Sequence, residues 1–178
     1  GIKKLKAYTS GGKVNRLRVD MGKAILEPKE IPVVLDGDKV VDRPVEIAGK
    51  NYNITCVSMG NPHCVVFMDD IDNLDIETVG PEFENDKLFP ERVNTEFVTV
   101  LDDHTIKMRV WERGSGETWA CGTGACAVAV AACENGFCKK GEDIKIKLKG
   151  GDLIINYTDE TVYMTGNAEK VFEGEVEV

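Results

Sequence analysis

The residues of this chain best suited to chemistry lie in the segment WERGSGETWACGTGACAVAVAAC, residues 111–133. It joins a charged pair, Glu112 and Arg113, to a glycine-rich turn and to Cys121, which Gly-Thr-Gly follows. Because Cys121 stands just before an apolar run that predicts a helix, the unpaired amides of the first helical turn would favour its thiolate. The glycines would also let backbone N–H groups approach an anion such as a carboxylate without a Cβ in the way. The pattern therefore indicates a reactive thiolate beside an anion-binding turn.

The other cysteines fit a simpler interpretation, since free cysteine usually packs as a small apolar side chain. Cys126 and Cys133 are seven residues apart on one face of the predicted helix, and Cys56 lies inside the strand-like segment ITCVSM. The chain has six cysteines in all, and with no secretory signal evident we expect reduced thiols rather than disulfides. The spacing C-x4-C-x6-C-x4-C over residues 121–138 lacks the CxxC pairs of structural zinc sites, so no metal site is predicted.

A second polar cluster is predicted at the turn in SMGNPHCVVF, residues 58–67, where Asn61 and His63 flank a proline. The proline stiffens this turn and restricts Asn61 to extended conformations, so an amide and an imidazole are presented at one point. Asn94, in RVNTEF, adds a polar residue at another strand entrance, although alone it would be interpreted as a turn-capping asparagine. His104, in the turn DDHT, is interpreted as structural.

The elements that must position these residues are predicted to be mostly short strands. Alternation places Ile106, Met108 and Val110 on one strand face. The opening IKKLKAY, residues 2–8, is also strand-like, and KGGD and TDET are typical of hairpin turns. Six further segments are rich in β-branched residues and end near Gly, Asp or Asn: LRVDMG, HCVVFMDD, VNTEFVTVLDD, TIKMRVWE, IKIKLKGG and LIINYTDE.

Two segments differ from this pattern. DIETVGPEFEND, residues 75–86, predicts a short surface helix interrupted by its Gly-Pro pair. Residues 123–134 predict the one strong helix, which ends at an Asn-Gly pair and is apolar on every face with small side chains. A helix of that composition is usually buried, with sheet close against it. We therefore predict one α+β domain over residues 1–178, a mostly antiparallel rolled sheet or barrel wrapped around one central buried helix.

The composition excludes several classes of partner. The 178 residues carry a formal net charge of -9 with scattered Lys and Arg, so neither nucleic acid nor an anionic membrane surface is an expected partner. The longest run of small apolar residues, 125–133, is less than half of a bilayer span. Hydrophobic residues make up 42% and charged residues 30%, which is typical of a packed globular domain. We expect a cytoplasmic location.

Three segments, in their order and spacing, closely resemble the diaminopimelate epimerases: SMGNPH, FPERVNTEFV and WERGSGETWACGTGACA. The closing MTGNAEKVFEGEV and the stretch RVDMGKAILEPKEIPV also resemble that family, so the likeness covers nearly the whole chain. The resemblance implies two similar halves, each a barrel-like sheet around a central helix, with substrate between them. It further implies epimerisation of LL-diaminopimelate to meso-diaminopimelate, a precursor of lysine and peptidoglycan, without pyridoxal phosphate, another cofactor or a metal.

The implied chemistry uses two cysteines on opposite faces of the substrate α-carbon, one as thiolate base and one as thiol acid. By the match of motifs, Cys121 would be one of the pair, with Glu112 and His63 as nearby proton acceptors. The amides of Gly122 and Thr123 would hold the reacting carboxylate. The substrate-binding residues implied by the resemblance are Asn61, Asn94, Glu112, Arg113, Gly122 and Thr123.

The chain departs from the family in one large respect. The family's other catalytic cysteine lies in a first half, in its own Cys-Gly turn, whereas here Cys121 is the only cysteine followed by glycine. We therefore expect this chain to represent the C-terminal half, inactive by itself. Its expected partners are a diaminopimelate substrate, an N-terminal domain that carries the second cysteine, and possible second copies in a homodimer.

Alternatives stay open at this point. Another cofactor-independent amino-acid racemase of the same fold would share the motifs, although Asn61, Asn94 and Arg113 favour a substrate with a polar far end. A non-catalytic binding or assembly domain would use the glycine turn merely to capture a carboxylate. A catalytic Cys121 is expected to alkylate at mildly acidic pH, before the helix cysteines. A phosphate-binding loop is disfavoured because no lysine follows the glycines.

Overall fold

Eleven strands and two α-helices form the computed structural model, which describes residues 3–177. A short 3₁₀ turn covers Pro28–Glu30. The helices are α1 (Ile76–Glu84) and α2 (Gly122–Glu134). The strands are β1 (Leu5–Ser10), β2 (Lys13–Gly22), β3 (Arg43–Ile47), β4 (Lys50–Ser58), β5 (Pro62–Phe67), β6 (Asn94–Asp102), β7 (Thr105–Glu112), β8 (Gly116–Thr118), β9 (Asp143–Leu148), β10 (Gly151–Tyr157) and β11 (Val162–Asn167).

All the strands join one mixed sheet in the order β1-β2-β11-β10-β9-β7-β6-β5-β4-β3, with β8 paired to β7 beside this path. Pairing is antiparallel except between β5 and β6 and between β7 and β9. Within residues 3–177 the edge strands β1 and β3 do not pair, so the sheet is not closed into a barrel. The predicted α+β class, mostly antiparallel sheet and central helix are confirmed, and the closed form of the sheet is not found.

Helix α2 is the centre of the larger hydrophobic core, and it contacts strands from both halves of the sheet: β4, β5, β6, β9, β10 and β11. Its residues from Gly124 to Ala132 are all buried, as expected of a helix with small apolar side chains on every face. It ends in a Schellman motif, with Gly136 at φ +79° and the Phe137 N–H donating to the Ala132 carbonyl at 2.9 Å. The Asn-Gly stop signal in the sequence is therefore confirmed.

Helix α1 corrects one sequence-based prediction. It runs without interruption through Gly80 and Pro81, and its face with Ile76 and Phe83 is buried in a second hydrophobic core. A Cβ on Gly80 would lie 2.3 Å from the Trp111 ring, so the glycine admits this indole rather than breaking the helix. The helix is thus a packed element between β5 and β6, where the sequence indicated an interrupted surface helix.

The strand predictions hold in most places because their signals are local. The segment TIKMRVWE is β7, and its alternating residues Ile106, Met108 and Val110 are buried as predicted. KGGD and TDET join β9 to β10 and β10 to β11. The opening strand appears as β1 from Leu5, while residue 2 lies outside the described part of the chain. Neither helix in that part has the length and apolar character needed to span a bilayer.

Candidate active site

Cys121 caps the N-terminus of α2 with its own side chain. The residue is extended, at φ -133° and ψ 107°, and its sulfur accepts a hydrogen bond from the Gly124 N–H at 3.3 Å. The Thr123 hydroxyl lies 3.6 Å from the same sulfur. Cys121 is only 6% exposed. The helix start therefore places the thiol beside polar groups, as the sequence predicted, but at the edge of a packed core.

The pKa shift of Cys121 runs in the opposite direction to the expectation from sequence. Burial, reinforced by the nearby Glu96 carboxyl group, raises the pKa of Cys121 to about 12, although Thr123 and the Gly124 amide act in the lowering direction. Burial likewise raises the pKa of Cys126 and Cys133 to about 12. The raised pKa favours the thiol form of Cys121, and its predicted early alkylation at mildly acidic pH stays a prediction.

The glycines around Cys121 have a steric role that the sequence did not reveal. A Cβ on Gly124 would lie 2.6 Å from Glu96 Oε1 and 3.1 Å from the Cys121 sulfur. A Cβ on Gly122 would lie 3.1 Å from Met164 Sδ. The first turn of α2 thus packs directly on a buried carboxyl group and on strand β11. These contacts leave little room for a side chain at Gly122 or Gly124, so close packing alone would also favour glycine there.

The turn between β4 and β5 meets the first turn of α2 through side-chain hydrogen bonds. Asn61 Nδ2 donates to Thr123 Oγ1 at 3.3 Å, and Asn61 Oδ1 lies 3.1 Å from His63 Nε2. His63 is fully buried, and its Nδ1 lies 2.6 Å from Glu96 Oε1. The two polar clusters predicted from sequence are therefore one connected group, and His63 reaches Cys121 only through other side chains.

Asn94 ties two turns of the site together. The parallel pairing of β5 with β6 places Asn94 directly beside His63. The Asn94 amide donates to the Pro62 carbonyl at 2.8 Å and accepts from the Arg113 N–H at 3.0 Å, and the residue is 5% exposed. Its side chain is thus engaged on both sides in fixing the backbone, which matches the turn-capping interpretation.

The charged pair at the end of β7, Glu112 and Arg113, is half-buried at the rim of the site. The Thr118 hydroxyl donates to Glu112 Oε1. The Arg113 guanidinium donates to the Glu91 carbonyl at 2.8 Å and forms no salt bridge within residues 3–177. Arg113 therefore keeps its charge available for an anionic group.

Two buried glutamates were missed by the sequence reasoning. Glu96 lies on β6 with no exposed surface, beside His63 and the start of α2. Glu84, at the end of α1, accepts hydrogen bonds from Trp111 Nε1, the Arg92 guanidinium and the Gly114 N–H at 2.7–2.9 Å. The single acidic residue at the start of the strand-like run EFVTV was a usable signal for Glu96, whereas nothing local distinguishes Glu84.

His104 lies apart from this site, at the β6–β7 turn. Its ring pairs with Asp103 at 2.7 Å and with Glu142 at 2.8 Å, and the hydrogen bond to Asp103 raises the pKa of His104. Asp102, Asp103 and His104 offer polar atoms within 4.8 Å of one another, but all three residues are exposed. The contacts agree with a structural role for His104.

The same fold occurs in known epimerase structures. A hydroxyproline epimerase from Agrobacterium vitis, solved with trans-4-hydroxy-L-proline bound, matches with a TM-score of 0.66 over 94% of this chain and 54% of its own, at 14% identity. At that identity the likeness shows a common fold. The family model for diaminopimelate epimerase matches residues 55–171. The chain therefore belongs to the diaminopimelate epimerase family.

Two curated relatives show how much of such a protein the chain spans. A diaminopimelate epimerase from Agathobacter rectalis is 50% identical and one from Acetivibrio thermocellus is 52% identical, each over all of this chain. The chain spans 65% and 64% of the lengths of these two relatives. The family resemblance carried by the three sequence segments is confirmed.

Proposed function

We propose that this chain is the part of a diaminopimelate epimerase that presents Cys121 to one face of the substrate α-carbon, with the opposing thiol on an N-terminal domain. The observation that carries the proposal is the connected group at the start of α2, in which Cys121, Thr123 and Asn61 converge. Family membership and about 50% identity to proteins named for this activity supply the substrate. We propose that residues 1–178 act as one domain of that enzyme.

In the proposed reaction, Cys121 enters as the thiol. A base on the opposite face removes the α-proton, and the electron pair of the broken C–H bond is delocalised toward the α-carboxylate. The Cys121 S–H then gives its proton to the carbon, which inverts the centre and leaves a Cys121 thiolate. In the reverse direction the Cys121 thiolate is the base. The raised pKa of Cys121, about 12, favours the thiol form, which is the form required for the acid role.

The α-carboxylate is proposed to bind the free amides at the helix start. The first intrahelical bond runs from the Ala125 N–H to the Cys121 carbonyl at 2.9 Å, so the N–H groups of Gly122 and Thr123 precede it. These amides and the partial positive charge of the helix end favour an anion whose charge grows in the transition state.

The distant end of the substrate is proposed to contact the charged pair at the end of β7, Glu112 and Arg113. Arg113, which has only a carbonyl partner for its guanidinium within residues 3–177, suits the second carboxylate, and Glu112 suits the ammonium group. Asn61 is proposed to contact the substrate beside Thr123. Asn94 and His63 are proposed to support these groups from behind, because both side chains are buried.

Isotope exchange tests the proposal. The complete enzyme is incubated with LL-diaminopimelate in D₂O, and we expect meso product with deuterium at the inverted α-carbon. This chain alone is expected to give no inversion, because the opposite-face thiol is absent. Faster turnover of proline or another monoamino acid would instead support a different racemase. Unchanged activity of Cys121→Ala in the complete enzyme would support a binding domain.

A further inference from the structure

We propose that Glu96 is a positioning residue that sets the direction of the hydrogen bonds reaching the Cys121 sulfur. These bonds pass through three intermediate side chains, His63, Asn61 and Thr123. The inference rests on the proposed function, since it assigns a further residue to the same site.

The surroundings of Glu96 supply too few hydrogen-bond donors and positive charges to stabilise a buried carboxylate. Its side chain is fully buried, and no lysine or arginine of residues 3–177 pairs with it. Oε1 lies 2.6 Å from His63 Nδ1, while Oε2 has no hydrogen-bond partner among the described residues. Burial raises the pKa of Glu96 despite the opposing effect of His63. A carboxyl group in this position is most stable when it shares a proton with the imidazole.

The donors and acceptors give the chain of bonds a direction. In one direction, a proton on His63 Nε2 is donated to Asn61 Oδ1, and a second proton is shared between Nδ1 and Glu96. Asn61 Nδ2 then donates to Thr123 Oγ1, which leaves the Thr123 O–H to donate to sulfur. With the Gly124 N–H, the sulfur receives two donors, an arrangement that favours thiolate.

The opposite direction is built from the same groups. If His63 Nε2 accepts, the Asn61 amide turns over, Thr123 donates to Asn61, and the Cys121 S–H donates to Thr123. The two arrangements hold the same number of protons, one of which lies on the Glu96–His63 pair in the first and on sulfur in the second. One proton can therefore lie either on the pair or on sulfur, which suits a residue that is acid in one direction and base in the other.

The packing prevents Glu96 from leaving His63. Helix α2 closes over the carboxyl group, since a Cβ on Gly124 would lie 2.6 Å from Oε1. The other titratable groups that face Glu96 are Cys64, Cys121 and Glu112. None of them can neutralise a carboxylate, so His63 is the partner that responds to its charge.

The decisive experiment compares two signals across pH in this chain. When Glu96 loses its proton as pH rises, His63 Nδ1 donates to the carboxylate and His63 Nε2 becomes an acceptor, which reverses the hydrogen bonds toward Cys121. The ¹⁵N shifts of the His63 ring and the iodoacetamide alkylation rate of Cys121, read by peptide mass spectrometry, are therefore expected to change over the same pH interval. Glu96→Gln keeps the size but cannot ionise, so the shared interval is expected to disappear. Glu96→Asp, which keeps a carboxyl group, is expected to retain it. Glu134→Gln, at the other end of α2, is the matched control and should behave as wild type.

Persistence of the shared interval in Glu96→Gln, or its absence from the wild type, would overturn the proposal. In the complete enzyme, Glu96→Gln is expected to lower kcat by about 10- to 100-fold with KM unchanged, as when the partner that orients a functional histidine is lost. If the complete enzyme does not turn over diaminopimelate at all, the proposed function fails while the spectroscopic comparison still decides the role of Glu96.

Discussion

The two buried glutamates near the candidate active site, Glu84 and Glu96, have opposite surroundings. Glu84, 6% exposed, accepts from an indole, a guanidinium and a backbone amide. Glu96, with no exposed surface, has one imidazole partner and one oxygen without a partner among the described residues. A carboxylate with enough donors is stable as an anion and fixes the groups around it, whereas one with too few keeps a strong affinity for a proton. The donors around Glu84 fix the turn that follows Glu112 and Arg113, whereas the surroundings of Glu96 are suited to proton chemistry.

The largest expected effect is the loss of Cys121, the thiol whose hydrogen bonds Glu96 is proposed to direct. Cys121→Ala in the complete enzyme should reduce epimerisation by at least about 10³-fold, because the proton donor on one face is lost. Its free energy of unfolding should change by only about 1 kcal/mol, since the side chain is small. Product formation by chiral chromatography and urea unfolding measure the two quantities. Activity close to wild type would exclude a catalytic role for Cys121, and with it a role for Glu96 in the reaction.

Glu84→Ala is expected to lower the free energy of unfolding by about 3 kcal/mol, because it leaves Trp111 Nε1 and the Gly114 N–H without their acceptor. Urea denaturation followed by tryptophan fluorescence measures the loss. Glu96→Gln, which keeps the side-chain volume, is the control and should cost less. A larger loss for Glu96→Gln would mean that both glutamates are structural and would end the contrast.

Gly124→Ala is expected to cost about 1–3 kcal/mol of stability, because the added methyl group displaces the Glu96 carboxyl from His63. Gly122→Ala is the matched control, since there the nearest atom belongs to the flexible Met164 side chain. Thermal unfolding of both variants tests the difference. Equal Tm values would show that the contact of α2 with Glu96 is loose.

The smallest effect concerns pH. Burial raises the pKa of Glu96 above its usual value of 4.5, so the folded protein binds this proton more tightly than the unfolded chain. Its contribution to stability is complete below pH 4.5 and is lost as pH rises through the raised pKa. The free energy of unfolding of wild type, relative to that of Glu96→Gln, should therefore fall across that interval. A constant difference between pH 4 and pH 8 in urea titrations would contradict this.

Local signals explain what the sequence predicted well. The Asn-Gly stop of α2, the two hairpin turns and the alternation in β7 depend on neighbouring residues, and all are found in the structure. The raised pKa of Cys121 could not be predicted locally, because burial acts through the whole core and Glu96 acts from a strand 25 positions earlier in the chain. Gly80 was misinterpreted for the same reason, since its packing partner Trp111 is distant in sequence.

The parallel pairing of β5 with β6 has a consequence for how this molecule tolerates change. Parallel neighbours require a crossover connection, and here that connection includes α1 and carries Glu84. Its two ends are both fixed, Glu84 by its three donors and Asn94 by the pairing with β5, so residues inserted between α1 and β6 are expected to strain these contacts. Inserted residues should be accepted instead at the exposed β1–β2 hairpin, which makes that turn the practical place for tags or reporter groups. The β9–β10 turn is less suitable, because the Gly150 N–H donates to the Trp119 carbonyl at 2.8 Å.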